Sequence, residues 1–231
     1  MIPKTELTLK TQQRIARALA AWCLVFLVVL AGRPSFTNAS LPVRGVADPV
    51  VALQIARNAD EVEAVLADAP SADREVMRVK QYVDFALIAG YLALAFLISA
   101  ALFSTRRLLA LTIGGVGLLA AVADVLENLD TLRIVNLNLS QLTPAMLNAL
   151  RFTSFTKWIL LAGAVALLAA VTLARKQWYL RAAGFLGLAG AILTVAGLFY
   201  NSILVWGGLL MFLALLLTAV TLRELTYESA S

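Results

Sequence analysis

The chain has 231 residues, of which 61% are hydrophobic and 14% charged, with a net charge of +5. Soluble domains run near about 45–50% apolar and about 25% charged, so the balance is that of a chain solvated by lipid rather than water. Histidine is absent, which excludes haem ligation by histidine, HExxH zinc chemistry, His-box di-iron sites and the Ser-His-Asp triad.

Residues 1–17 carry Lys4, Lys10, Arg14 and Arg17 against the single acid Glu6. An apolar run over 15–32 follows and predicts the first crossing, at the short end of the roughly 20 residues that span hydrocarbon. A basic start, an apolar run and Thr37-Asn38-Ala39 also imitate a cleavable signal peptide. The length of the run, with Arg33-Pro34 ahead of any cleavage site, favours a retained span.

Residues 33–80 form the one sizeable polar stretch, read as an outer helical segment. Asp48-Pro49 predicts a capped helix start, and Asn58 a second one with Asp60 and Glu61 in its first turn. Each helix is too short to stand alone in water. The segment 47–69 is therefore expected to act as a lid on the helix ends, with docking of a protein partner as its other use. From Ser71 the chain reads as one helix whose later part, about 82–103, is the second span.

Ser104-Thr105-Arg106-Arg107 is a basic turn, and the third span covers about 108–126. An outer connection is expected over 127–155, with 129–142 left between a helical extension and an interfacial segment. Thr143-Pro144 predicts another capped start. The fourth span covers about 156–174, the fifth 182–199 and the sixth 203–222, with a short polar tail after Arg223. The expected fold is all-α: a polytopic bundle of six transmembrane helices, since strands of a barrel would be alternating segments near 10 residues.

Lysine and arginine set the orientation. The N-terminal four, Arg106-Arg107, Arg175-Lys176-Arg181 and Arg223 fall on one side of the six spans; the balanced 33–80 segment, 127–155 and the neutral 200–202 turn fall on the other. Both termini are expected in the cytoplasm, and the layout suits a bacterial plasma (inner) membrane. Basic clusters between apolar runs fit membrane orientation better than nucleic acid, so no nucleic-acid partner is expected.

The third span holds the sharpest pattern. Gly117, Ala121, Asp124, Glu127 and Asn128 share one helix face, small at one end and polar at the other. Acids at membrane depth are costly and turn toward protein or water. Asp84, Tyr91, Asp124, Glu127, Asn128, Arg151 and Lys157 all fall at the outer ends of spans two to four. They form the candidate polar cluster, with carboxylates pairing with Lys157 or Arg151 and Asp124 expected against Lys157. Structural ion pairing competes with the binding of a cation, a proton or a polar head group. No catalytic motif, cofactor-binding pattern or metal-ligand spacing is found.

Small residues recur at Gly114, Gly115, Gly117 and Ala121, and at Ala183, Gly187 and Ala191 with Gly190 and Gly197 nearby. Such spacing lets helices approach closely. Packing within the bundle is the expected use, and a homodimer through these faces the competing one. Cys23 reads as an apolar filler, and Asn38-Ala39-Ser40 and Asn138-Leu139-Ser140 are glycosylation sequons on the outer side. Membrane lipids are an expected partner class. A non-enzymatic accessory or scaffold protein is the favoured function, followed by a small-solute or ion transporter. A lipid-modifying enzyme working with carboxylates, lysine and tyrosine comes last.

Overall fold

The structure, a computed structural model, describes residues 4–32, 34–37 and 43–227. The first sequon and Thr37-Asn38-Ala39 fall partly or wholly outside them. Helices α1 (Lys4–Ala31), α4 (Ala72–Leu102), α5 (Arg107–Val135), α6 (Pro144–Leu173), α7 (Trp178–Gly197) and α8 (Leu204–Val220) make the body. Two short helices, α2 (Pro49–Ile55) and α3 (Ala59–Leu66), lie between α1 and α4, and α9 (Leu222–Tyr227) ends the described chain. Among the described residues, six segments are long and apolar enough to cross a bilayer. No strand occurs among the described residues; the fold is an all-α polytopic bundle.

The helices begin where their caps dictate. Asp48 accepts from the Val51 amide at 3.0 Å, Asn58 from Glu61 at 2.9 Å, and Thr143 from Met146 at 3.4 Å. These side chains satisfy amides that have no partner in the first turn. Ser71 caps α4 in the same way, accepting from Arg74.

From α4 to α8 each long helix packs on the next in the chain, and α1 closes the arrangement against α4 and α8. Gln13 fastens that closure. Its amide donates to the Val220 carbonyl at 2.7 Å and accepts from the Arg223 amide at 2.7 Å. It thereby fills both halves of the break between α8 and α9. Where a polar tail is expected, residues 222–227 form a helix held to the body: Leu222 and Leu225 are buried in the main core, and Arg175 donates to the Leu225 carbonyl at 2.6 Å.

At the opposite end α2 and α3 form a lid. Leu53, Ile55, Val62, Val65 and Leu66 bury their apolar face against Met77 of α4, Ile134 and Val135 of α5, Leu147 and Leu150 of α6, and Leu204 of α8. The segment expected as an outer connection over 127–155 is helical at both ends, leaving 136–143 between α5 and α6. Arg74 sets where α5 stops, and Thr143 where α6 starts. The buried Arg74 guanidinium donates to the carbonyls of Val135 at 3.1 Å and Leu137 at 2.6 Å, and to Ala67 at 2.9 and 3.0 Å. A cation at a helix C-terminus satisfies its last carbonyls and meets the negative end of its dipole, so one side chain ends both α3 and α5. Lys80 does the same for α1, donating to the carbonyls of Leu30 and Gly32.

The small-residue faces pack inside the chain. A Cβ on Gly117 would lie 3.1 Å from that of Ala95 on α4, and one on Gly187 3.1 Å from Val165 of α6 and 3.3 Å from Ala214 of α8. Gly115 is the exception, with nothing within 4 Å.

Candidate functional site

The stripe on α5 places the site. Its small end lets α4 approach, which brings Asp84 and Tyr91 beside the polar end of α5. Lys157 enters from α6. Its ammonium stands 2.9 Å from Asp124 and 2.6 Å from Glu127, with all three side chains at most 7% exposed. The Tyr91 hydroxyl donates to the second Asp124 oxygen at 2.9 Å, and the Asn128 amide to Asp84 at 2.9 Å. Three helices are thus tied by side chains alone.

The lid joins the network. Gln54, in the otherwise apolar run of α2, donates to the second oxygen of Glu127 at 2.6 Å and accepts from the Trp158 indole at 3.2 Å. The Trp158 ring also lies 5.0 Å from the Lys157 ammonium, close enough for a cation–π contact. Gln54 is 5% exposed. It and Arg74 are residues that sequence reasoning did not place here. A lone glutamine amid valine, leucine and isoleucine was the one available signal for the first.

Six of the expected residues come together: Asp84, Tyr91, Asp124, Glu127, Asn128 and Lys157. Arg151 does not join them. It sits six positions before Lys157 on α6, and at 3.6 residues per turn that offset turns it roughly 120° away. It lies instead over Phe155, with Arg44, Arg57 and Glu61 as its charged neighbours. Asp124 and Glu127 therefore pair with Lys157, and the alternative pairing with Arg151 is corrected.

Asp84, Asp124 and Glu127 supply three carboxyls against the single ammonium of Lys157. The Asn128 carboxamide oxygen is buried and accepts nothing. Turning the amide over would set oxygen against oxygen at Asp84 and strand the nitrogen, so the site is one hydrogen-bond partner short either way. A buried ammonium shared by two carboxylates can hold helices together, and the carboxyl excess gives the same site room for a proton or small cation.

Fold and site together define a class: a multi-pass helical membrane protein with a buried charge network where three spans meet a lid. Beyond that class, no protein family, characterised protein or solved structure matches the chain.

Proposed function

We propose that the protein is a non-enzymatic scaffold or accessory protein of the membrane, whose charge network fixes α4, α5 and α6 and seats the lid for a protein partner. One observation carries this reading: every oxygen of Asp124 and Glu127 is engaged by Lys157, Tyr91 or Gln54. Groups so fully used by their own chain serve to hold it in shape. With the lid's apolar face turned inward, its exposed side presents Arg57, Asp60 and Glu63, so the partner is expected to meet a polar surface. The lid end faces away from the cytoplasm and both termini face into it, in a bacterial inner membrane; the lysine and arginine distribution supports this orientation.

Cross-linking in native membranes, followed by identification of the attached peptides, tests the proposal. A partner cross-linked to 57–63 and lost on reversing Asp60 and Glu63 is the expected result. Cross-links confined to the chain itself would defeat it. The carboxyl excess favours a second reading, proton or small-cation transport. Purified protein in liposomes carrying a pH-sensitive dye decides between the two. Flux above empty liposomes, abolished by Asp124→Asn, would establish transport.

A further inference from the structure

Arg151 stands apart from the cluster and heads a face of its own. Asn148, Arg151, Phe152, Phe155, Thr156 and Ile159 line a shallow open depression of about 370 Å³ along one face of α6. Phe152 is 72% exposed and Ile159 53%. The face is cationic near the lid and apolar below it; Ile159 lies eight residues, about 12 Å of helix rise, beyond Arg151.

The charges around Arg151 do not balance. Arg44 is paired with Glu61 at 2.8 Å. Arg57 and Arg151 form no ion pair among the described residues, and the Arg151 Nε is buried without an acceptor. Guanidinium groups match phosphate oxygens in a fork geometry that a lysine cannot supply. Arg151 lines the head of the depression with Arg57 as its charged neighbour, and exposed Phe152 and Ile159 mark its length.

We propose that this face binds one anionic phospholipid, its phosphate held by Arg151 and Arg57 and an acyl chain laid along Phe152, Phe155 and Ile159. The apolar continuation selects a lipid over free phosphate. The surplus of arginine over glutamate selects an anionic head group over a zwitterionic one. The proposal uses no residue of the Lys157 network; it shares Arg57 with the lid face of the scaffold reading, and the lipid measurement on purified protein needs no partner.

The test is native mass spectrometry of the purified full chain in detergent, offered equal phosphatidylglycerol and phosphatidylcholine with the same acyl chains. Wild type is expected to retain phosphatidylglycerol preferentially. Each of Arg151→Gln and Arg57→Gln should lower that preference by about fivefold, the factor expected for one arginine at a lipid surface. Millimolar inorganic phosphate should displace little of it. Arg57 is exposed on the lid, so its variant keeps the test alive should Arg151→Gln fail to fold. Equal retention of the two lipids would overturn the proposal. So would an unchanged preference in Arg57→Gln and any folded Arg151→Gln, or displacement by inorganic phosphate.

Discussion

Helices α4, α5 and α6 are joined by charge, whereas α7 and α8 are joined by shape. In the first group a lysine, two carboxylates and a tyrosine meet across three helices. In the second the backbones approach so closely at Gly190 and Gly207 that an added Cβ would not fit. A Cβ on Gly207 would lie 2.5 Å from the amide nitrogen of Thr194, and one on Gly190 2.6 Å from that of Met211. Lipid tails are as apolar as leucine, so burying apolar surface does little to drive helices together in a bilayer. Close packing and polar contacts remain: α4 and α5 combine a close approach at Gly117 with the charge network, whereas α7 and α8 rest on close approach with one Thr194–Met211 hydrogen bond beside it. The difference predicts how each region fails: the charged one when a single partner is lost, the packed one when an atom is added.

The largest effect is expected at Lys157. Lys157→Met leaves Asp124 and Glu127 facing each other, buried and uncompensated, and breaking one side of a buried pair costs about 3–5 kcal/mol. Unfolding in detergent, followed by tryptophan fluorescence, should show that loss. The triple variant Lys157→Met, Asp124→Asn, Glu127→Gln should recover part of it, because the stranded charges are gone. If the triple variant is no more stable than the single one, stranded charge is not what fails there.

Arg74 comes next. Arg74→Met removes a buried cation that serves four backbone carbonyls, those of Ala67, Ile134, Val135 and Leu137. Hydrogen bonds to charged groups contribute roughly 1.5–3 kcal/mol, and a loss of about that size is expected. Hydrogen exchange should rise at 134–142 and at the end of α3 while α7 and α8 stay protected. A uniform rise over the whole chain would contradict the local role.

The packed pair offers a comparison internal to the chain. Gly207→Ala forces the backbones of α7 and α8 apart and should cost about 1–3 kcal/mol, as overpacking does. Gly115→Ala, with open space around it, should be neutral or stabilise by up to about 1 kcal/mol through helix propensity. Equal melting points for the two variants would mean that the α7–α8 contact is looser than it stands here.

These contrasts also explain what the sequence made legible. The caps at Asp48, Asn58 and Thr143 are local chemistry, readable within four residues. The shared face of Asp124, Glu127 and Asn128 follows from helix periodicity alone. The C-terminal end of α5 was not legible, because its last carbonyls are capped by an arginine some 60 positions away in the chain. Gln54 was hidden for the same reason: its partner depends on where the lid lands. Arg151 was grouped with Lys157 by depth along α6, and depth carries no information about the direction a side chain takes around the axis.

The smallest effect belongs to the lid's exposed edge, where charge acts without burial. Asp68 accepts from the Leu139 amide at 3.0 Å and from its neighbour Ala69 at 2.9 Å. These donors, Leu139 foremost, favour the ionised carboxylate and hold it below its ordinary value of 3.8. A carboxylate lowered in the folded state adds stability at pH above its unfolded value, and that contribution is lost as pH falls through the folded value. Acidification below the ordinary carboxylate range should therefore speed exchange at the Leu139 amide before it touches α7 or α8. Asp68→Asn should remove that pH dependence while leaving the melting point almost unchanged, since the group lies in solvent and its link is screened. A large fall in melting point from this substitution would show that the lid leans on its exposed edge more than on the apolar face beneath it.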